Sequence, residues 1–465
     1  MNSLTERIQA LDGLMWQPFA MPVVLVLVGA LLTISTGLVQ IRRFPLAVRF
    51  ILARSSRKEP DKKNTITPFQ ALATALASTV GNGNIGGVAT AILIGGPGAI
   101  VWMWVTAAFG MATKYSEAVL GVHYRVRRDT GDLASGPMYY ITGGIKSPLI
   151  AKPLAYSFAL FGACAALFGT GNMAQSNTVA RTFTEATRAM TGIEISPLIP
   201  GLLITTIVGL VLFGGIKRIA SVAAKLVPTM IVLYLLMALL FLLFNLDRVP
   251  EVFSLIITSA FSPAAALGGF AGASVAQVIA AGVSRGVLSN EAGLGSAPIA
   301  HGIADVSHPV KQGLVGVFEV FIDTIVVCSL TAFVIIASGL WLEPQYQNAS
   351  GDLTAAAFSS TIPFASLLVA LCSFLFGFST LIGWCYYGEK CVEFIFGSRV
   401  ILAYRMLFTL LILVGSVVSV PLVWAIGTLL NGFMALPNLV ALIFLVGTVR
   451  SLTRDYFAES SRQSR

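Results

Sequence analysis

Long apolar stretches recur along the whole chain, and most of them are long enough to form a helix that crosses a membrane. Such a helix needs roughly 20 predominantly apolar residues. Only 11% of the 465 residues are charged, whereas soluble globular proteins carry about 25%. A chain so poor in charge cannot cover a water-soluble surface of this size, which excludes a soluble enzyme and a disordered chain. The sequence predicts an all-α polytopic membrane protein.

Eleven of these stretches are predicted to be transmembrane helices. Their predicted bounds, in chain order, are 19–41, 66–95, 98–122, 155–180, 198–213, 225–245, 256–282, 312–340, 361–388, 401–418 and 421–449. The first is too long for a signal peptide, and no small-residue cleavage site follows it. We expect a single transmembrane domain that ends in a short tail, 450–465.

The distribution of Lys and Arg tests these spans and orients them. With the N-terminus outside, the inner loops and the tail hold 25 of the 30 basic residues, the outer segments hold four, and Lys114 lies inside a span. Cytoplasmic loops of membrane proteins carry such an excess, and a miscounted helix would reverse the alternation. We therefore predict a cytoplasmic C-terminus. The net charge of +9 then belongs to the inner loops rather than to a nucleic-acid-binding face.

Two spans contain glycine clusters that argue against continuous helix. The second span carries Gly81-Asn82-Gly83-Asn84-Ile85-Gly86-Gly87, and the seventh carries Gly268-Gly269-Phe270-Ala271-Gly272. Each glycine destabilises a helix by about 1 kcal/mol relative to alanine. Unwound backbone persists inside a membrane only where it is buried in protein or lines a cavity. Both clusters therefore predict a discontinuous helix beside a site.

The order of the two discontinuous helices suggests an internal repeat. When helix 19–41 is set apart as an extra N-terminal helix, they are the first and the sixth of ten. Five plus five helices with this arrangement are typical of inverted-repeat transporters. We expect the repeats at 66–245 and 256–449. The ends of the half-helices would offer N–H groups to a carboxylate and carbonyl groups to Na⁺.

Gly81, Gly83 and Gly86 also match the GxGxxG spacing of dinucleotide-binding proteins. That motif needs a preceding strand and an acidic residue about 20 positions later, whereas the flanks here are apolar and no acidic residue follows at that distance. Close helix packing on glycine is the better alternative. Against it, the amides of Asn82 and Asn84 would need partners at mid-membrane.

Asn172 and Gln175 lie three residues apart in span 155–180 and are expected to share a helix face. Hydrogen bonding between helices and contact with a ligand are both open explanations for them. Ser379 and Thr380 are adjacent hydroxyl residues that suit Na⁺, unless they bond back to their own helix. Trp384, one turn later, either walls a small pocket or packs in the core.

Glu319 and Asp323 lie four residues apart on one face of the eighth span. Charged groups at this depth are functional candidates by default. An ion site, a proton relay, or a buried partner for Lys114 or Arg285 would each explain them. For Lys114 we expect a local pair with Glu117 near the inner end of its helix.

Several longer motifs are specific enough to indicate a family. The longest reads Gly95-Gly96-Pro97-Gly98-Ala99-Ile100-Val101-Trp102-Met103-Trp104 and continues through Gly110-Met111-Ala112-Thr113-Lys114-Tyr115-Ser116-Glu117. The others are 81–88, 171–177, 268–273, 290–298 and 319–324. Together they resemble the alanine or glycine:cation symporters, also called sodium:alanine symporters, which have the leucine-transporter-type fold.

This resemblance implies cation-coupled uptake of alanine or glycine, usually with Na⁺, and neither a catalytic site nor a cofactor. The substrate contacts that it implies are Gly81, Asn82, Gly83, Asn84, Asn172, Gln175, Gly269, Phe270 and Trp384. The Na⁺ ligands that it implies are Thr79, Val80, Gly83, Ser379 and Thr380. A proton-coupled transporter that uses Glu319 or Asp323 is the alternative function.

One stretch departs from the family's pattern. Many members read Arg-Val-Gly-Thr-Gly-Asn-Ile-Ala where this chain reads Thr79-Val80-Gly81-Asn82-Gly83-Asn84-Ile85-Gly86, and this concerns substrate and ion choice more than fold. We expect a multi-pass protein of the plasma membrane, most simply a bacterial inner membrane. Its expected partners are the amino acid, Na⁺ and the lipid bilayer, with no nucleic acid and no predictable protein partner.

Overall fold

The structure, a computed structural model, describes residues 2–17, 19–54, 65–128, 131–261, 274–346, 350–418 and 420–463, which are almost entirely helical. In chain order their α-helices are Asn2–Met15, Met21–Ser35, Val39–Arg42, Phe44–Arg54, Pro68–Thr79, Val88–Gly95, Ala99–His123, Pro137–Gly144, Pro148–Phe168, Met173–Thr191, Leu198–Leu212, Gly215–Leu243, Val249–Ser259, Val275–Asn290, Pro298–His301, Pro309–Val320, Ser329–Ser338, Ser350–Ser359, Ala365–Phe396, Ile401–Val417 and Val420–Gln463.

Shorter elements interrupt or connect these helices. Two π-helical turns are Gly83–Gly87 and Phe321–Cys328. The 3₁₀ turns are Leu246–Arg248, Leu340–Leu342, Pro344–Tyr346 and Ser398–Val400. Strands Val126–Arg127 and Leu133–Ala134 pair antiparallel, with Val126 opposite Ala134.

Among the described residues, six helices are long and apolar enough to cross a membrane by themselves, and shorter apolar helices accompany them. Each of the eleven predicted spans overlaps helical residues. Large apolar side chains such as Leu210 and Leu236 are exposed on the outer faces, where lipid tails rather than water would cover them. The all-α membrane class is confirmed, whereas the count of eleven spans and the five-plus-five repeat stay predictions.

The first broken helix comprises residues 68–95. Its start is fixed by a capping box, because Thr67 Oγ1 accepts a hydrogen bond from the Gln70 N–H (3.1 Å) while Gln70 Oε1 accepts one from the Thr67 N–H (2.9 Å). The first helical segment ends at Thr79, and Val80 is extended. The chain resumes as the π-helical turn Gly83–Gly87 and then as Val88–Gly95, so the predicted break at the glycine cluster is confirmed.

The second broken helix comprises residues 275–301. It begins with a capping box of Ser274 and Gln277 and runs to Asn290. Glu291 then takes a left-handed conformation (φ +57°), and a non-helical stretch, 291–297, precedes the short helix Pro298–His301. The predicted span ended at residue 282, eight residues before this helix ends, and the predicted glycine break, which includes Gly269 and Phe270, lies outside the described residues.

The two broken helices run side by side in opposite directions. At one end, the Ile66 N–H donates to the Ile303 carbonyl (3.3 Å). In the middle, Gly83 packs against Ser289, and at the other end Gly95 packs against Ala281. Because the pairing is continuous, the interruption after Val80 and the non-helical stretch 291–297 lie at the same level.

Candidate functional site

A narrow cavity lies where the two interruptions meet. Its lining combines the first broken helix, the second broken helix and three neighbouring helices, through Ser78, Thr79, Gly81, Gly83, Gly87, Thr170, Gln175, Arg285, Leu288, Ser289, Glu291, Thr380, Trp384 and Trp424. The free volume is about 20 Å³, enough for about one water-sized group. An amino acid can therefore enter only if side chains or half-helices move.

The polar groups of the first interruption bond to side chains. The Gly81 N–H donates to Asn84 Oδ1 (2.9 Å). Asn82 donates to Gln175 Oε1 from its backbone N–H (3.3 Å) and from Nδ2 (3.1 Å), and its Oδ1 accepts from Ser373 Oγ (2.7 Å). The side-chain amides of Asn82 and Asn84 thus have the partners that they need at mid-membrane, because a polar group without a partner in an apolar environment costs free energy. The first N–H groups expected to hold a carboxylate already have acceptors in this conformation.

Asp323 joins both broken helices to the π-helical turn Phe321–Cys328. Its carboxylate accepts hydrogen bonds from Asn84 Nδ2 (2.7 Å), Ser289 Oγ (2.9 Å) and Thr324 Oγ1 (2.8 Å). Asn84 belongs to the first broken helix and Ser289 to the second. π-Helical turns inside α-helices occur frequently at functional sites, so Asp323 stays a candidate for an ion-linked residue.

Glu291 is a buried acidic residue of the cavity that sequence reasoning did not single out. Its Oε1 accepts a hydrogen bond from Trp384 Nε1 (2.8 Å), and its Oε2 accepts one from Ser296 Oγ (2.5 Å). A left-handed backbone is uncommon for residues other than glycine, and such strain tends to persist at functional sites. The signal was present in motif 290–298, where an acidic residue is followed by Gly293 and Gly295.

Trp384 stands between this carboxylate and a third helix interruption. Helix Pro148–Phe168 ends before Gly169, and Met173–Thr191 begins three residues after Thr170. A Cβ on Gly171 would lie 2.6 Å from the indole ring of Trp384. Gly171 therefore allows the indole to reach Glu291.

Gly171→Ala should displace the Trp384 indole and break its hydrogen bond to Glu291. Overpacking of this kind costs about 1–3 kcal/mol, so we expect a lower melting temperature. Gly447→Ala is the matched control, because nothing lies within 4 Å of a Cβ there. Equal melting temperatures of the two variants would show that the indole position does not affect stability.

Asn172 and Gln175 are separated by the start of a helix. Gln175 lines the cavity, whereas Asn172 precedes the first residue of helix Met173–Thr191, and its Nδ2 donates to the Phe408 carbonyl (2.9 Å). They do not share one face of a continuous helix, since the predicted span 155–180 is interrupted at 169–172. Contact of Asn172 with a substrate stays a prediction.

The predicted Na⁺ ligands divide into two groups. Thr79, Gly83 and Thr380 line the cavity, whereas Val80 and Ser379 are buried outside its lining. The Ser379 hydroxyl donates to the Phe376 carbonyl (2.8 Å), which is the back-bonding alternative. The buried Thr380 Oγ1, by contrast, has no hydrogen-bond partner among the described residues.

A buried charge network lies beside the second interruption. Lys114 Nζ is 3.2 Å from Glu319 Oε1, and both side chains are fully buried. Glu319 Oε2 is 2.7 Å from His301 Nε2, while Gln312 Nε2 lies 2.6 Å from His301 Nδ1. The Gln312 amide donates a hydrogen bond to Nδ1, so the ring proton of neutral His301 is on Nε2. This N–H donates a hydrogen bond to Glu319. Of the explanations left open for Glu319, a buried partner for Lys114 is the one observed.

Glu117 holds the second interruption instead of pairing locally with Lys114, so that expected pair is wrong. Its Oε1 accepts hydrogen bonds from the Gly295 N–H (3.1 Å) and from Asn438 Nδ2 (2.6 Å). Asn438 also donates to the Gly293 carbonyl (2.9 Å). Sequence spacing favoured a neighbour on the same helix, but the non-helical backbone offered partners that spacing could not reveal.

Two broken helices that meet around a polar cavity, in a chain with several membrane-length helices, define a polytopic membrane transporter. The chain belongs to the sodium:alanine symporter family, whose sequence model matches residues 1–465. The family resemblance seen in the motifs is thus confirmed. The protein is a transporter and not an enzyme, with Na⁺ as the co-transported ion and no enzymatic cofactor.

Individual relatives agree with this assignment. The sodium/alanine symporter AgcS of Methanococcus maripaludis is 44% identical over 450 residues, which cover 97% of this chain and 96% of that protein. The probable sodium/glutamine symporter GlnT of Bacillus subtilis is 37% identical and covers 98% of this chain and 91% of its own. A manganese transporter of Eremococcus coleocola shares the fold, with a TM-score of 0.51, 14% identity, and 81% and 75% of the two chains covered.

Proposed function

We propose that the protein takes up a small neutral amino acid, alanine or glycine, together with Na⁺ by alternating access. The observation that carries this proposal is the narrow cavity between the two interruptions, which Arg285 and Glu291 both line. The second broken helix thus offers a cation from its helical part and an anion from the first residue of its interruption. A free amino acid is a zwitterion and presents the matching charges, and the narrow space favours a small side chain.

Arg285 is proposed to receive the substrate carboxylate. It lies in the second broken helix, and no salt bridge to it is formed within the described part of the chain. The charge of Asp12, in helix Asn2–Met15, acts on Arg285 without forming an ion pair. The N–H groups of Gly81 and Asn82 are already engaged, so a guanidinium that donates to both carboxylate oxygens is the better partner.

Glu291 is proposed to receive the substrate ammonium, with Gln175 as a neutral polar neighbour. The two hydrogen bonds to Glu291 hold its carboxylate at the cavity and leave further lone pairs for a third donor. Trp384 would then limit the length of the substrate side chain. The other predicted contacts, Gly83, Asn84, Asn172, Gly269 and Phe270, are retained as proposals.

Na⁺ is proposed to bind beside the first interruption, with the predicted ligands Thr79, Val80, Gly83, Ser379 and Thr380. The unpartnered hydroxyl of Thr380 supports this position, because a buried polar atom without a partner is costly unless an ion or water completes it. At a membrane potential of 100 mV, entry of one charge contributes about 2.3 kcal/mol. That is a roughly 50-fold accumulation before any sodium gradient is counted.

Proton coupling through Asp323 is the second candidate. The carboxylate is fully buried and accepts several hydrogen bonds, and no cationic side chain bonds to it in the described residues. Glu319 is a weaker candidate because it already pairs with Lys114.

The chain is further proposed to sit in a bacterial inner membrane with its N-terminus outside, its C-terminus inside, and repeats at 66–245 and 256–449. The distribution of Lys and Arg supports this orientation, although Arg285, counted with an inner loop, lies in helix Val275–Asn290.

Uptake into proteoliposomes tests the function. An inward Na⁺ gradient should drive accumulation of alanine or glycine, and replacement of Na⁺ by K⁺ should abolish it. Glutamine is included because GlnT is one of the relatives. Thr380→Ala should raise the Na⁺ concentration for half-maximal uptake about tenfold. Thr206→Ala is the control, because the Thr206 hydroxyl donates to the Leu202 carbonyl on an exposed helix face. This variant should leave the Na⁺ concentration for half-maximal uptake unchanged.

The alternatives give different results in the same assay. Accumulation driven by a pH gradient without Na⁺ would select proton coupling and direct attention to Asp323. Preference for glutamine would reject the small-substrate proposal but keep the symporter. An unchanged Na⁺ dependence in Thr380→Ala would remove the proposed ion site.

A further inference from the structure

A basic groove lies apart from the central cavity, at the junction of two helix ends. It has a volume of about 270 Å³, and no residue lines both spaces. One wall is the turn after helix Met21–Ser35, and the other is the last part of helix Val420–Gln463. The polar groups that face it include Thr36, Arg42, Arg43, Arg450, Thr453 and Arg454. We call this the arginine groove.

The arginine groove has more positive than negative charge. Arg454 lies 3.2 Å from Asp455, but no salt bridge within the described ranges involves Arg42, Arg43 or Arg450. The guanidinium of Arg43 lies 4.2 Å from the ring centroid of Phe457, a cation–π contact that fixes its position. A concave site with uncompensated arginines suits a phosphate group, which accepts paired hydrogen bonds from guanidinium.

Apolar side chains beside the arginine groove point to a lipid as the source of that phosphate. Ile34 is 76% exposed and Ile41 66% exposed, on either side of the turn that forms one wall. Inorganic phosphate makes no apolar contact with such a surface, whereas the acyl chains of a lipid would cover it. Basic pockets at the ends of membrane helices are suited to anionic headgroups.

We propose that the arginine groove binds the phosphate headgroup of an anionic phospholipid. The acyl chains of this lipid lie along Ile34 and Ile41, and the headgroup ties the first membrane helix to the last one. This site does not depend on the identity of the transported amino acid.

Native mass spectrometry of the full-length protein tests this proposal, with phosphatidylglycerol or phosphatidylcholine titrated into the detergent. The wild type should retain phosphatidylglycerol more tightly. The double variant Arg42→Gln with Arg450→Gln should weaken its binding about 25-fold, since each basic residue contributes about fivefold. The control double variant, Lys146→Gln with Lys152→Gln, removes the same charge from exposed positions and should bind as the wild type does.

Conservative replacement and free phosphate complete the test. Arg42→Lys with Arg450→Lys should keep most of the affinity, and transport of alanine in phosphatidylcholine vesicles should show that the glutamine variant is folded. Equal loss of lipid in both glutamine double variants would overturn the proposal, because it would then report net charge only. Displacement of the lipid by millimolar inorganic phosphate would assign the site to free phosphate instead.

Discussion

Lys114→Met should lower the free energy of unfolding by about 3–5 kcal/mol, because it leaves the carboxylate of Glu319 buried without a cation. Lys114 and Glu319 are both fully buried and 3.2 Å apart, so water cannot replace the lost partner. A loss of this size is a large fraction of the stability of a typical protein. Titration with a denaturing detergent in mixed micelles measures it.

The double variant Lys114→Met with Glu319→Gln separates the charge from the shape of the site. Removing both charges should recover much of the loss, since the penalty comes from the unpaired ion. Arg181→Ala is the control, because Arg181 pairs with Glu185 at an exposed position and such a pair contributes about 0.3–0.5 kcal/mol. If the double variant is no more stable than Lys114→Met, the ion pair is not the source of the effect.

Glu291→Gln should weaken alanine binding about 10- to 100-fold. Hydrogen bonds to a charged group contribute about 1.5–3 kcal/mol, and the amide that replaces the carboxylate still accepts from Trp384. The fold should therefore persist while the charge facing the substrate ammonium is lost. Binding of alanine to purified protein in Na⁺, followed by isothermal calorimetry, measures the change.

Substrate analogues identify which charge of alanine is involved. Lactate has a hydroxyl where alanine has its ammonium. Glu291→Gln should therefore reduce the difference in binding affinity between alanine and lactate. Alaninamide lacks the carboxylate, so Arg285→Gln should reduce the difference in binding affinity between alanine and alaninamide. Glu194→Gln is the control, because Glu194 is exposed. Unchanged selectivity in Glu291→Gln would contradict its role while leaving symport itself intact.

The membrane class, the family and the first interruption could be predicted because each depends on local sequence. Apolar runs and the distribution of Lys and Arg are read along the chain, and the glycines of 81–87 destabilise the helix where they stand. The same reasoning predicts a break in the glycine cluster 268–272, which lies outside the described residues. It did not give weight to 291–297, where Glu291 and Ser296 stand on either side of two glycines. Glu117 and Asn438 from other helices hold the backbone there.

The partners of buried charges could not be predicted because spacing identifies only neighbours on one helix. Lys114 has Glu117 one turn away, yet it pairs with Glu319 across a helix interface. Asn172 and Gln175 have the spacing of a shared face, yet the chain starts a new helix between them. In both cases tertiary contacts decided the outcome. The alternatives that involved a second helix were open in the sequence, but nothing in it ranked them.

Both broken helices begin with the same local device, a hydroxyl residue followed three positions later by glutamine. Thr67 with Gln70 and Ser274 with Gln277 fix the first turn of each helix, and the two helices run in opposite directions. The N-terminal end of each helix is therefore held rigidly by its capping box, and the two capped ends lie at opposite ends of the pair. Bending then requires the least free energy where both helices are interrupted, so we expect a shared hinge at the level of the cavity. Rotation about that hinge would widen the gap at one end of the pair as it narrows the gap at the other.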